Sequence, residues 1–253
     1  MILGAQTYTI RRHTQTAEEF DASMAQIAQI GYTQVQLSGV GPIPAEKLRE
    51  SCDKYGLSIV LTHTNPDRIL NETEAVIREH DILGCKYVGI GSMPRPYRTG
   101  ETIAQFAADF TLPAKKLRDA GKLLMYHNHN FEWERISGKT RIIDALLESM
   151  PAELMGVTLD TYWVQAAGGD VTQWIDLLQD RIPCVHLKDM AIVNKEQRFA
   201  PVGEGNLNFP RILAQLAKLG KTEHILVEQD DGYGADMFEC LKTSFDNVKS
   251  MGF

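Results

Sequence analysis

The sequence predicts an α/β chain closed into a (β/α)8 barrel, and three observations predict it. Eight apolar runs alternate with amphipathic stretches along 253 residues, a length typical of such a barrel and ample for one large core. No linker or low-complexity stretch interrupts the alternation, so residues 1–253 read as one domain. The first apolar run is followed by Thr7-Tyr8-Thr9-Ile10-Arg11-Arg12, not by the glycine-rich phosphate loop that opens a doubly wound sheet.

The candidate strands, in order, are Ile2–Gln6, Thr33–Leu37, Ser58–His63, Tyr87–Ile90, Leu123–Asn128, Met155–Asp160, Cys184–Lys188 and His224–Glu228. Between them apolar residues recur at three- and four-residue spacing, as in Phe20, Met24, Ile27 and Ile30 or in Ile212, Leu216 and Leu219. Thr16 with Glu19, Asn71 with Glu74, and Asp170 supply helix N-caps. Gly31, Gly56, Gly84, Gly121 and Gly220 mark the returns from helix to strand. Strand, helix, strand repeated eight times gives a parallel sheet that closes on itself.

Composition narrows the function. Hydrophobic residues make up 43% and charged residues 23%, ordinary for a soluble globular protein. A net charge of −7 argues against a general nucleic-acid or anionic-membrane binder. No run approaches the ~20 apolar residues of a membrane span, and Met1-Ile2-Leu3-Gly4 opens a strand without a basic leader. Cys52, Cys85, Cys184 and Cys240 are scattered without CxxC spacing, which fits reduced thiols in a cytoplasmic protein.

The chemistry is carried by four segments, each ending an apolar run on a metal-type ligand. They are Leu124-Met125-Tyr126-His127-Asn128-His129-Asn130-Phe131-Glu132, Gly156-Val157-Thr158-Leu159-Asp160, Cys184-Val185-His186-Leu187-Lys188-Asp189 and Ile225-Leu226-Val227-Glu228-Gln229. An ionisable side chain in a buried strand is costly unless paired, so four at the same barrel mouth predict one shared divalent cation. Period-two alternation points His127 with His129, Thr158 with Asp160, His186 with Lys188, and Leu226 with Glu228 toward the axis. Glu132 lies past its strand, where a loop can fold it back. Three carboxylates and one imidazole favour Mn2+, with Mg2+, Co2+ or Zn2+ as alternatives. Such an ion polarises a carbonyl, and His127 is the candidate base for the adjacent carbon.

These residues resemble the sugar phosphate isomerase/epimerase superfamily, whose barrel is called xylose isomerase-like, over essentially the whole chain. Tyr126-His127-Asn128-His129-Asn130-Phe131-Glu132 is similar to the Tyr-His-Asn-His-x-x-Glu signature of one branch. Leu159-Asp160-Thr161, Val185-His186-Leu187-Lys188-Asp189, Val202-Gly203-Glu204-Gly205 and Val227-Glu228 are similar to its later motifs. The resemblance implies Glu132, Asp160, His186 and Glu228 as metal ligands and Glu132 with Glu228 as an epimerase's catalytic pair. It departs from relatives that carry the first carboxylate inside the fifth strand, where this chain has Tyr126 and His127. Many relatives have His where Trp163 stands here, which implies a stacking wall for a neutral sugar. Relatives often form dimers or tetramers, so a homo-oligomer is compatible with the resemblance.

The expected activity is a metal-dependent keto-sugar isomerase or epimerase acting by proton abstraction next to a carbonyl. The alternative is a lyase or dehydratase of the inosose or 3-keto-glycoside type, favoured if the site centres on His127. His63, His129, Trp163 and Lys188 are the expected substrate contacts, and Gln6 and Tyr8 point to the same mouth. Lys188 is also open to a structural ion pair or a Schiff-base role. The segment Met93–Gly100 reads as a solvated loop or as a lid presenting Arg95 or Arg98. An endonuclease would need more metals, more histidines and a basic groove. A non-catalytic sugar-binding barrel is opposed by the four intact ligands.

Overall fold

Each apolar run becomes a short parallel strand, and its inward half decides what fills the barrel. In the computed structural model, which describes residues 1–253, the strands are β1 (Ile2–Gln6), β2 (Gln34–Leu37), β3 (Ser58–His63), β4 (Tyr87–Ile90), β5 (Leu123–His127), β6 (Met155–Asp160), β7 (Cys184–Leu187) and β8 (His224–Val227). They pair in sequence order, and β8 returns to β1 through Ile2↔His224 to Ala5↔Val227, closing the barrel. The helices are α1 (Ala17–Ile30), α2 (Ala45–Lys54), α3 (Pro66–Asn71), α4 (Thr73–Leu83), α5 (Ile103–Asp119), α6 (Ile142–Ser149), α7 (Thr161–Ala166), α8 (Val171–Leu178), α9 (Phe209–Leu219) and α10 (Met237–Ser250). No helix is long and apolar enough to cross a membrane.

The helices turn their stripes inward: Phe20, Met24 and Ile27 of α1 and Ile212 and Leu216 of α9 are buried in the main core. Thr16 and Glu19 form a reciprocal capping box, and Asp170 accepts from the amides of Thr172 and Gln173. The five return glycines all take positive φ. Asn71 differs from expectation. It ends α3 and donates to Asp67 O, while Glu72 precedes α4 without a side-chain cap bond.

A second, smaller core lies inside the barrel: Val60, Leu61, Tyr87, Met125, Cys184 and Leu226. Three of these stand two residues before a polar side chain of the mouth, namely Met125 before His127, Cys184 before His186, and Leu226 before Glu228. Alternation therefore stacks an apolar plug beneath a polar layer. The plug is tight. A Cβ at Gly156 would stand 2.6 Å from Met125 Sδ, so any larger residue there would push that side chain aside.

Two hairpins interrupt the loops at the mouth. Arg135–Ser137 pairs with Thr140–Arg141, and Asp189–Val193 pairs with Glu196–Ala200. The second turns through Asn194 and Lys195, both at positive φ. Three strand ends fall one residue short of the sequence reading. At Asn128 the side-chain Oδ1 accepts from Asp160 N at 3.0 Å, and Lys188 N donates to Thr161 Oγ1 at 3.0 Å, whereas Glu228 N still reaches Leu187 O at 3.1 Å.

Candidate active site and metal centre

The register of the last four strands brings four candidate ligands together. His127 pairs with Thr158, and Asp160 and Leu226 both pair with His186. Thr158 and Leu226 each stand two residues before a ligand, so the stagger of the barrel lifts His127, Asp160, His186 and Glu228 to one level. One ligand atom from each lies within 4.8 Å of all the others, and all four residues are buried.

Their outer atoms are held by partners that aim the inner ones. His127 Nδ1 donates to Gly91 O at 2.8 Å, and because that carbonyl can only accept, Nε2 is left with a lone pair. His186 Nε2 donates to Gln36 Oε1 at 2.6 Å, which leaves Nδ1 facing inward. Asp160 Oδ1 accepts from Trp163 N at 3.0 Å, and Glu228 Oε1 accepts from Gln6 Nε2 at 2.8 Å. These are the partners that orient imidazole and carboxylate ligands around a cation.

With both imidazoles neutral the inner atoms are acceptors that face acceptors. Burial would lower the His186 imidazole, but Glu228 and Asp160 outweigh it and push it up to about 9, so the cage draws positive charge to this position. His127 Nε2 stands 3.2 Å from Asp160 Oδ2, and His186 Nδ1 stands 2.9 Å from Glu228 Oε2. His186 Nδ1 and Glu228 Oε2 are buried without a well-directed hydrogen bond. Such a cage needs positive charge at its centre, so the residues fit a divalent cation. With the imidazoles neutral, Asp160, Glu228 and nearby Asp230 against the Lys188 ammonium leave two negative charges, which one such ion neutralises. Burial would raise the Asp160 carboxyl, but the Lys188 ammonium and the two imidazoles hold it below the usual carboxylate range. Burial acts likewise on Glu228, and Lys188 and His186 outweigh it further.

Lys188 is buried beside the cage, 3.4 Å from Glu228 Oε2 and 3.7 Å from Asp160 Oδ2, and it donates to both oxygens of Asp230 at 2.8 Å. A cavity of about 390 Å³ opens above, lined mostly by polar side chains. His63, His129, Lys188, Tyr8 and Glu228 line it, together with Asp230. His63 Nδ1 meets Ser38 Oγ at 3.0 Å, and its Nε2 has no partner. His129 Nδ1 is likewise unpartnered. Burial, then the neighbouring His127, pushes both imidazoles down, His129 to about 3, so both are neutral bases.

Several expected residues stand elsewhere. Glu132 is fully buried but outside the four-ligand group. Tyr126 Oη donates to its Oε1 at 2.6 Å and His129 N to its Oε2 at 2.8 Å. The group that converges is His127, Asp160, His186 and Glu228, two imidazoles and two carboxylates that could hold a metal ion, with His127 standing where Glu132 was expected. A His127 that bound a cation through Nε2 while donating from Nδ1 to Gly91 O would have no nitrogen left to act as a base. Trp163 is not on the cavity wall. Its ring lies behind, 5.2 Å from both the His129 ring and Lys188 Nζ. Gln6 supports Glu228 rather than lining the cavity. Arg98 donates to Met93 O and Ser92 Oγ and covers the Phe131 ring, while Arg95 is exposed, so neither reaches the cavity.

The sequence reading passed over Gln36, Ser38, Gly91 O and Asp230. Two of them carried a signal: Gln34-Val35-Gln36 alternates amides inside a buried strand, and Asp230 is two residues after Glu228. The remaining motifs are scaffolding. Thr161 Oγ1 donates to Lys188 O and accepts from Lys188 N, stapling β6 to the end of β7. Asp189 accepts from the amides of Met190, Gly203, Gly205 and Leu207. A Cβ at Gly205 would lie 2.3 Å from Asp189 Oδ1, which is why glycine stands there.

With this geometry in place, comparison with known proteins gives a consistent picture. The sequence profile of the xylose isomerase-like TIM barrel matches residues 24–243. An inosose dehydratase of Mesomycoplasma hyopneumoniae strain 7448 is 23% identical, over 92% of this chain and 88% of its own. One from Geobacillus kaustophilus is 25% identical, over 83% and 80%. A solved sugar phosphate isomerase/epimerase of Parabacteroides distasonis superposes with a TM-score of 0.82 at 21% identity, covering 98% of this chain and 93% of that one. That last likeness is one of fold.

Proposed function

The chain belongs to the xylose isomerase-like TIM barrel family, and from that premise we propose that it is a metal-dependent dehydratase or related lyase of a polyhydroxy ketone such as a keto-inositol. Relatives and fold neighbours divide between dehydratases and isomerase/epimerases, so the site has to choose. One observation carries the choice: only one glutamate, Glu228, faces the cage, because Glu132 is tied to Tyr126 and His129. An epimerase of the two-glutamate kind needs a carboxylate on each face of the substrate carbon, and here the cavity wall adds the imidazoles of His63 and His129 to Glu228 rather than a second glutamate.

His127, Asp160, His186 and Glu228 are the residues that would hold the cation, and two imidazoles with two carboxylates suit Mn2+, Co2+ or Zn2+. When bound, a divalent ion supplies polarisation of a ketone oxygen. His63 and His129 are the groups placed to take the proton from the adjacent carbon, each being neutral with a nitrogen free of protein partners. The C–O bond to the β hydroxyl then breaks as the α,β double bond forms, and the proton taken by the imidazole passes to the departing oxygen, which leaves as water. The polar cavity excludes bulk solvent on the plug side and offers hydrogen bonds to the remaining hydroxyls.

The test uses protein loaded with Mn2+, 2-keto-myo-inositol and D-fructose in deuterium oxide. The expected result is a dehydrated product from the keto-inositol and no net epimerisation of the ketose. His63→Asn and His129→Asn are expected to lower turnover by about 10²–10⁴-fold for whichever is the base, with metal content unchanged. Epimerised ketose with no elimination product would overturn the proposal in favour of the isomerase reading.

A further inference from the structure

We infer that Lys188 and Asp230 form a donor–acceptor clamp for two adjacent hydroxyls of an uncharged substrate. This deepens the dehydratase reading and rests on it. Lys188 Nζ donates to both Asp230 oxygens at 2.8 Å, and those are the only hydrogen bonds Asp230 makes. A carboxylate has about four acceptor positions and an ammonium three donors. The pair therefore keeps acceptor capacity on Asp230 and one N–H on Lys188, side by side on the cavity wall. Adjacent hydroxyls of a polyol present the complement, one donating and the other accepting. The ammonium is fixed for this role. It is 1% exposed and seated over the rings of Trp163 and Phe199 at 5.2 and 5.1 Å.

The charge balance sets the substrate class. Lys188 is the only cationic side chain lining the cavity, and Asp160, Glu228 and Asp230 surround it. Once a divalent ion sits in the cage, no positive charge remains for a phosphate. A phosphorylated sugar would bring its dianion against Asp230 instead. The clamp thus selects a neutral polyol ring.

The experiment measures binding by calorimetry to the Mn2+-loaded protein, so that it does not depend on turnover. The probes are myo-inositol, a monodeoxy-inositol and myo-inositol monophosphate. The expected results are that Asp230→Asn weakens myo-inositol about tenfold or more, as loss of a charge-assisted bond does, with metal content unchanged. The monodeoxy compound lacking the clamped hydroxyl is expected to bind wild type more weakly and to lose little further in the variant. The monophosphate is expected to bind no more tightly than myo-inositol. If Lys188 and Asp230 merely balance the cage, Asp230→Asn shifts metal affinity and leaves the preference for myo-inositol over its deoxy analogue intact, which overturns the clamp. Tenfold tighter binding of the monophosphate, or no binding of myo-inositol to wild type, overturns it too. A protein that binds these polyols as expected yet fails to dehydrate any keto-inositol would refute the dehydratase reading and leave the clamp standing.

Discussion

Gln36 controls which nitrogen of His186 faces the cage. Its Oε1 takes the Nε2 proton at 2.6 Å, so Gln36→Leu frees the imidazole to present a proton inward. Partners of this kind are worth about 10–100-fold in metal affinity, and we expect that loss for Mn2+ in a chelator-competition titration. Glu132→Gln is the control. Its carboxylate bonds Tyr126 Oη and His129 N rather than the cage, so metal affinity is expected to stay within a few-fold. A loss as large as that of Asp160→Asn would return Glu132 to the ligand set. The contrast also explains what was readable. Asp160, His186 and Glu228 lie within or one residue beyond a strand, where period-two alternation fixes direction. Glu132 lies five residues past His127, after the chain has turned through Asn128–Asn130. Alternation has no say there, and the nearest buried donor, Tyr126, decides.

The mouth elements are held by single side chains, and Asp189 holds the largest of them. Four amides converge on it, fixing the hairpin Asp189–Val193/Glu196–Ala200 and the turn at 201–207 against β7. Asp189→Ala leaves those amides without an acceptor, and orphaning buried donors costs about 1–3 kcal/mol each when they cannot reach water. We expect a loss of about 3 kcal/mol in urea unfolding together with proteolytic cleavage between residues 201 and 207. Unchanged protection from protease would show that the hairpin packs without the anchor. The sequence revealed the eight strands and the helix stripes because their periodicity is set by burial on one face. It did not reveal the hairpin. Glu196-Gln197-Arg198-Phe199 is exposed or half-buried on both faces, so no alternation marks it. Its turn is made by Asn194 and Lys195 rather than by a glycine pair. The Asn71 cap fails for a related reason: α3 and α4 abut, and Asn71 bonds backward into the helix it ends.

At the scale of the whole molecule, the barrel and its helical layer are tied by buried polar links as well as by apolar packing, and one of them makes stability depend on pH. His80 of α4 is 2% exposed; its Nδ1 donates to Val76 O at 2.7 Å and its Nε2 accepts from Thr62 Oγ1 of β3 at 2.8 Å. Burial lowers this imidazole from 6.5 to about 4, against the opposing pull of the Val76 carbonyl. The folded protein therefore binds the proton less readily than the unfolded chain does. Its contribution is complete above pH 6.5 and is lost as the pH falls from 6.5 to about 4, below which nothing further is lost. That depression corresponds to about 3 kcal/mol. Other buried groups, His63 and His129 among them, act in the same direction, so the wild-type slope alone does not isolate His80. Comparison with His80→Gln does, since the amide can still meet Thr62 but cannot charge. Urea unfolding at pH 7 and at pH 4 should show the variant losing about 3 kcal/mol less than wild type over that interval. Equal losses would mean that His80 reaches water when it is protonated, and that the link between α4 and β3 opens well before the barrel does.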